Sequence, residues 1–347
     1  MKDGMFIFDS VIHAFDFRPS NQRNEWAGRQ AGWITAAGQA MSSEKMPVNP
    51  KLSPVVLDDP SEAVELFKNS DTDMAMAQTV PLLHYWKDGL SPADLQAEFA
   101  ASMPDRILFC GGVDPIMQGV RGAVDEMGRQ ANELGARSFK FYQAQSRHLA
   151  WQADDRHLVY PLYEKALELG VKFIQFHKGG VHGDGNVEDL RSLDIQRAAI
   201  DFPELTFGLH HLGDPYLDET FAVASRHQNV VLVLPLWFNM FMIQPRRMTE
   251  ILGKALFEVG PDRLLYGSEA FIWPRVQTYI DAFAELEMPE DLQEGWGYPA
   301  MTREIREKIF GLNLARILDI DVKAKMSHLS DQASSPVPGG SQTVGLV

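Results

Sequence analysis

The chain has 347 residues, 45% of them hydrophobic, a formal net charge of −15 and a single cysteine, Cys110. One cysteine allows no intrachain disulfide and excludes every zinc motif that is built from cysteines. The acidic balance argues against a nucleic-acid partner, because phosphate binding needs a basic surface. No run of about 18 apolar residues predicts a membrane span, and the amino terminus lacks the apolar stretch of a signal peptide. We therefore expect a soluble, cytoplasmic protein.

Short apolar runs alternate with helical patterns along most of the chain. The runs are rich in Val, Ile, Leu and Phe, which is typical of strands that are buried on both faces. The eight predicted strands are Met5–His13, Asp73–Thr79, Arg106–Val113, Ser138–Tyr142, Val171–His177, Leu205–His210, Val230–Pro235 and Arg263–Ser268. The eight predicted helices are Ser61–Lys68, Pro92–Ser102, Gly119–Leu134, Tyr160–Leu169, Val187–Asp201, Asp218–Arg226, Pro245–Val259 and Val276–Leu286.

This count predicts an α/β fold, a single distorted (β/α)₈ TIM barrel. The alternative is an open, doubly wound sheet. Such a sheet usually has a glycine-rich phosphate loop after its first strand, and this chain has the sequence DSVIHAFDF there.

Two segments lie outside the repeat. Residues Ala14–Asp59 form an insertion after strand one that carries Trp26 and Trp33. A loop of this length is usually a lid or a subunit contact, so we expect it to cover the barrel mouth and to support at least a dimer, with a second copy or with a related barrel subunit. From Ser327 the chain is rich in Ser, Pro and Gly, which predicts a flexible tail over 327–347 after a barrel domain over 1–326.

Histidines and carboxylates mark the predicted strand ends, where the side chains of a barrel converge on the active site. The residues with this placement are Asp9, His13, His177, His182, His210, His211 and Glu269. Imidazole nitrogens and carboxylate oxygens are ligands for zinc, iron and manganese, so we predict a metal site. Because side chains alternate along a strand, only one of the adjacent His210 and His211 is expected to point into that site.

Strand four ends with Lys140 and Tyr142, which alternation places on the same side. The lysine is a candidate carbamylated ligand or a charge partner for an acid. The tyrosine is a candidate phenolate ligand or a hydrogen-bond partner of the substrate. Both also have a structural interpretation, in which Tyr142 packs in the core and Lys140 forms an ion pair.

Four short motifs, taken in order, resemble the amidohydrolase-related family over residues 5–320. They are FHKGG at the end of strand five, HHLGD after strand six, DRLLYGSEAFIWP around strand eight, and NLARIL over Asn313–Leu318. This branch of the amidohydrolase superfamily contains metal-dependent decarboxylases. The resemblance implies that His177 is the strand-five metal ligand and that His211 is a base or a ligand of a second metal.

The ligand set departs from the usual family pattern on two strands. Members usually have His-x-His or Glu-x-His on strand one, whereas this chain has Val11-Ile12-His13, and the usual strand-eight aspartate is Glu269 here. Asp9, earlier on strand one, is the candidate replacement. Together with Tyr142, this set resembles the amidohydrolase-related dinuclear oxygenases, in which two iron ions, or manganese and iron, activate O₂. Carboxylate and phenolate oxygens suit these metals better than zinc.

The first hypothesis is therefore a dinuclear monooxygenase that hydroxylates a small organic substrate with O₂. The implied metal ligands are Asp9, His13, Tyr142, His177, His182, His211 and Glu269, and the implied catalytic groups are His211, Glu269 and Tyr142. The second hypothesis is a mononuclear zinc or manganese hydrolase or decarboxylase of an aromatic or carboxylate substrate, in which His211 and Glu269 move protons. The third is a non-catalytic barrel subunit, against which the retained His177, His211 and Glu269 argue.

Overall fold

Eight parallel strands form the centre of the molecule. The computed structural model describes residues 1–49, 61–146, 149–181 and 183–334. The strands are β1 (Phe8–Ile12), β2 (Met74–Gln78), β3 (Ile107–Gly111), β4 (Ala136–Phe141), β5 (Phe173–Phe176), β6 (Thr206–His210), β7 (Val230–Val233) and β8 (Leu264–Leu265), hydrogen-bonded in that order. Nearly every residue in them is buried, as the continuous apolar runs predict.

The sheet closes into a barrel between its first and last strands. The amide of Ser10 donates to the carbonyl of Tyr266 at 3.0 Å, and the amide of Glu269 donates to the carbonyl of Val11 at 3.1 Å. A parallel bridge between Ile12 and Ala270 continues this contact. The predicted TIM barrel is therefore confirmed, and the alternative of an open sheet is wrong.

Helices surround the barrel and connect its strands. They are α1 (Glu25–Ala40), α2 (Ser61–Lys68), α3 (Ala93–Ser102), α4 (Gly119–Asn132), α5 (Tyr160–Glu168), α6 (Leu193–Asp201), α7 (Leu217–Arg226), α8 (Trp237–Phe241), α9 (Pro245–Glu258), α10 (Val276–Ala284), α11 (Glu290–Trp296), α12 (Arg303–Glu307), α13 (Asn313–Ile317) and α14 (Val322–Ser334). All eight predicted helices are present, within a few residues of their predicted ends except for the fifth, which is α6 of the structure. That helix begins at Leu193 instead of Val187, because a 3₁₀ turn precedes it. None of the helices in the described ranges is long and apolar enough to cross a bilayer.

The insertion after β1 packs against the barrel through α1. The helix begins after Asn24, whose side chain accepts a hydrogen bond from the amide of Trp26 at 3.1 Å and so caps the first turn. At its other end, the indole of Trp273 donates to the carbonyl of Gly38 at 3.2 Å. These contacts hold α1 against the loop that follows β8, as expected for a lid. Residues 50–59 of the insertion lie outside the described residues.

The carboxyl-terminal segment corrects one prediction. The tail predicted to be flexible from Ser327 is helical as far as Ser334, because α14 begins earlier and runs through it. The side chain of Asp321 accepts a hydrogen bond from the amide of Ala324 at 3.0 Å, and Met326 packs against the barrel's second apolar cluster. The composition of the tail as a whole therefore did not reveal that its first residues continue the helix α14. Residues 335–347 lie outside the described residues.

Candidate active site

A cavity lies at the carboxyl ends of the strands, and we call it the mouth cavity. Five of the predicted site residues line it, each from a different strand end: His13, Tyr142, His177, His211 and Glu269. The cavity has a volume of about 620 Å³, counting the part that is open to solvent. The structure therefore brings these five predicted residues to one cavity, and their roles in a functional site stay a prediction.

Backbone carbonyls fix the orientation of all three histidine rings. The contacts are His13 Nδ1 to Gln78 O at 2.8 Å, His177 Nε2 to Gly180 O at 2.8 Å, and His211 Nδ1 to Pro235 O at 3.2 Å. A carbonyl oxygen only accepts, so each of these nitrogens carries the proton and the opposite ring nitrogen is left with a lone pair when the ring is neutral. A histidine that binds a metal usually has this arrangement.

The opposite ring nitrogens lie in two pairs of potential metal-binding atoms. His13 Nε2 lies 3.6 Å from Glu269 Oε1, and His177 Nδ1 lies 3.3 Å from His211 Nε2. In the described parts of the chain, no three His, Cys, Asp or Glu side chains are arranged so that they could hold a metal ion. The types of these atoms and the protonation of the rings fit a divalent ion. The two pairs, however, do not form one set of three or more ligands among the described residues.

One predicted ligand, Asp9, does not belong to either pair. Asp9 is fully buried and is not among the residues that line the mouth cavity, because its Oδ1 accepts hydrogen bonds from the amides of Val11 at 3.1 Å and Ser268 at 2.9 Å. The contact with Ser268 connects β1 to the segment after β8, whereas Asp9 Oδ2 is buried without a hydrogen-bond partner among the described residues, so its role as a metal ligand stays a prediction. His182 lies outside the described residues.

Burial sets the charge state of the acid in the cavity. The pKa of Glu269 is raised to about 7, first by desolvation, and the positive charge of Lys140 opposes that rise. Burial likewise lowers the pKa of Lys140 to about 8, and the charge of Glu269 opposes that fall. The Nζ atom of Lys140 has no hydrogen-bond partner among the described residues and lies 5.1 Å from the centre of the Tyr142 ring. Of the roles considered for Lys140, these shifts favour that of a charge partner of Glu269. Lys140 is not among the residues that line the mouth cavity.

The ring of Tyr142 packs against a histidine of the cavity. The ring of Tyr142 stacks on that of His177, with centroids 4.7 Å apart and planes inclined by 17°. Desolvation raises the pKa of Tyr142 well above its usual value of 10, which favours the neutral phenol over a phenolate.

Of the two adjacent histidines at the end of β6, His211 lines the cavity, and His210 Nε2 instead contacts Gln175 Oε1 at 2.8 Å inside the barrel.

Apolar side chains form the rest of the mouth cavity. They come from the lid helix α1 and from the loops after β1, β7 and β8, and they include Phe15, Trp33, Ile34, Met41, Leu236, Ile272 and Trp273. None of the described residues that line the cavity is a lysine or an arginine. A ligand here would therefore meet polar groups at the strand ends and apolar surface on its other sides.

Unusual backbone conformations position two of the polar side chains. His211 and Glu269 have φ angles of +59° and +60°, in the left-handed region that residues other than glycine rarely adopt. Gly179 lies against the first of them, and a Cβ atom added to it would be 2.4 Å from His211 Cβ. Strain of this kind concentrates at functional sites. Sequence analysis missed the role of Gly179, although the pair of glycines after His177 was a visible sign of a close approach.

Comparison with known proteins identifies the class of protein. The Amidohydrolase family model matches residues 77–320, which is more than half of the chain. The chain therefore belongs to this amidohydrolase family, and the resemblance inferred from the motifs is confirmed. No curated protein matches the chain significantly.

Solved structures share the architecture at low sequence identity. An uncharacterised TIM-barrel protein from Bordetella bronchiseptica is 19% identical, with a TM-score of 0.66 over 91% of this chain and 99% of that one. A 2,6-dihydroxybenzoate decarboxylase from Rhizobium is 16% identical, with a TM-score of 0.55 over 76% and 89%. A 5-carboxyvanillate decarboxylase from Novosphingobium aromaticivorans, complexed with manganese, is 14% identical, with a TM-score of 0.57 over 92% and 97%. At these identities the likeness shows the fold.

Proposed function

We propose that this protein is a decarboxylase that acts on an aromatic carboxylate. The observation that carries the proposal is the buried carboxyl of Glu269, whose pKa is raised to about 7 and which faces His13 at one end of an apolar cavity. Decarboxylation replaces a carboxylate by a proton, so it needs a proton donor beside the reacting carbon. An acid with a pKa near the working pH is suited to that role.

The described residues divide the work as follows. The apolar walls bind the aromatic ring and exclude water from the carboxylate, and Glu269 holds the proton. As the bond between the ring carbon and the carboxylate breaks, CO₂ leaves and the electron pair stays on the carbon. The carbon takes the proton from Glu269, which regains one from water. The paired imidazoles of His177 and His211 lie at the same strand ends, where they bind the polar groups of the substrate.

A divalent ion fits the donor atoms of this site. His13, His177 and His211 would hold it through the ring nitrogens that do not contact backbone carbonyls, once these nitrogens were drawn together from the two separate pairs in which they lie. Such an ion supplies Lewis-acid chemistry, which binds and polarises the substrate's polar groups. The manganese complex of a carboxyvanillate decarboxylase with the same fold supports this choice of ion type.

The oxygenase hypothesis lacks comparable support. A dinuclear iron or manganese–iron centre needs more ligands than a mononuclear one, and Asp9, Tyr142 and Glu269 were its distinguishing ligands. Asp9 does not line the mouth cavity, and the ring of Tyr142 stacks on that of His177. No described contact favours hydrolysis over decarboxylation. We therefore place the second sequence hypothesis, in its decarboxylase form, first.

The test is anaerobic turnover of aromatic carboxylates by the manganese-loaded protein. We expect CO₂ release from at least one member of a panel that includes 2,6-dihydroxybenzoate and 5-carboxyvanillate, and one ring deuterium in the product formed in D₂O. Glu269→Gln should lower the rate by roughly 10²–10⁴-fold, whereas Glu294→Gln, at an exposed position on α11, should not. Turnover that requires O₂, or no CO₂ release from any member, would overturn the proposal.

A further inference from the structure

A second cavity opens beside the mouth cavity, and we call it the side cavity. It has a volume of about 860 Å³, counting the part that is open to solvent. The two cavities share lining residues on three sides: Trp33 from α1, His211 after β6 and Leu236 after β7. The two cavities are therefore adjacent.

The walls of the side cavity are apolar. Beyond the shared residues, they include Leu217 at the start of α7, Trp237 and Met240 on α8, and Met248 and Ile251 on α9. Methionine side chains adapt to ligands of different shape, whereas a tryptophan provides a rigid flat surface. The combination suits a hydrocarbon chain or a second ring.

The polar edge of Trp237 is already occupied. Its Nε1–H donates to the carbonyl of Met248 at 2.9 Å, and its ring stacks on Phe241 with centroids 5.1 Å apart. The indole therefore has no donor left for a ligand. The charged residues that line this cavity within the described ranges, apart from the shared His211, are Asp214 and Arg247, and both are exposed.

We infer that the side cavity is a substrate subsite, which binds an apolar arm of the aromatic carboxylate while its carboxylate lies at the strand ends. This inference rests on the proposed function and narrows the substrate class to carboxylates with an alkyl or aryl substituent. An apolar cavity that is joined to a candidate reaction site has few polar partners for ordered water. An apolar arm removes the same surface from water, which favours binding.

The size of the effect follows from the transfer of apolar groups. Each buried CH₂ group contributes about 0.8 kcal/mol, which corresponds to roughly a fourfold change in the dissociation constant. Even with half of this gain lost to the ordering of the chain, five methylene-sized groups should strengthen binding by roughly 30-fold.

Isothermal titration of the full-length, manganese-loaded protein tests the inference. The ligands are benzoate, 3-n-pentylbenzoate and 4-n-pentylbenzoate. We expect all to bind, and at least one pentyl compound to bind about 30-fold or more tightly than benzoate. Ile251→Trp should fill the side cavity and remove this gain while leaving benzoate affinity unchanged. Leu217→Trp, on the neighbouring helix α7, should do the same. Ile200→Trp is the matched control, because Ile200 is exposed on α6 and lines neither cavity.

Each outcome has one meaning for the two proposals. If benzoate binds and neither pentyl compound binds more tightly, the subsite inference is wrong and the proposed function stands. If the gain persists in both Ile251→Trp and Leu217→Trp, the arm binds elsewhere and the inference is also wrong. If no carboxylate binds, the proposed function fails, and the inference fails with it.

Discussion

Replacing Gly179 by alanine should displace His211 and reduce activity without unfolding the protein. The added Cβ would lie 2.4 Å from His211 Cβ, 3.2 Å from its Cγ and 3.3 Å from the carbonyl of Asp214. Ordinary carbon–carbon contacts are about 3.5–4.0 Å, so the histidine or the glycine segment must move by about 1 Å. His211 has a left-handed φ of +59°, which leaves its backbone few other conformations.

The expected loss can be estimated from this displacement. A shift of about 1 Å in a group that positions substrate costs roughly 10²-fold in turnover, and overpacking a buried site costs about 1–3 kcal/mol of stability. The assay is kcat/KM for the aromatic carboxylate that wild type turns over fastest, together with the midpoint of thermal unfolding. Gly128→Ala is the control, because a Cβ there comes no closer than 3.6 Å to Lys165. Full activity of Gly179→Ala with an unchanged unfolding midpoint would refute the assigned position of His211.

Three further predictions follow from the site and the lid. His177→Ala should lower the manganese or zinc content measured by mass spectrometry to below a tenth of wild type, whereas His227→Ala, at the end of α7, should leave it unchanged; equal metal content in the two variants would contradict a ligand role for β5. Burial raises the pKa of Asp9 from 3.8 to about 6, so the protonated carboxyl is favoured in the folded state. Its contribution to the free energy of unfolding is complete below pH 3.8 and is lost as the pH rises through 6. Asp9→Asn should therefore increase the free energy of unfolding of the EDTA-treated protein by about 3 kcal/mol at pH 8 and have little effect near pH 4, as measured by urea unfolding; an equal effect at both pH values would rule out this cause. Trp26 and Trp33 are 39% and 50% exposed, and light scattering should show at least a dimer; a monomer mass at every concentration would contradict the predicted subunit contact.

The sequence by itself determined the barrel and the strands that carry the site. Strands buried on both faces leave continuous apolar runs, and helices between them leave start and stop residues, so both are visible in local patterns. The carboxyl ends of parallel strands meet at one rim, so His13, His177 and Glu269 could be placed together before any contact was known. The same rule placed Asp9 in that group, but it does not show which backbone amides a carboxylate meets, and Asp9 Oδ1 accepts hydrogen bonds from two of them.

Tertiary structure alone decided which groups share a surface and how they are charged. The lid residue Trp33 and the strand-end residue His211 line the same cavities although they are far apart in the sequence. The raised pKa of Glu269, after β8, and the lowered pKa of Lys140, in β4, likewise arise from burial. These properties depend on distances between segments that no local pattern records, because side-chain packing and desolvation are set only when the barrel closes.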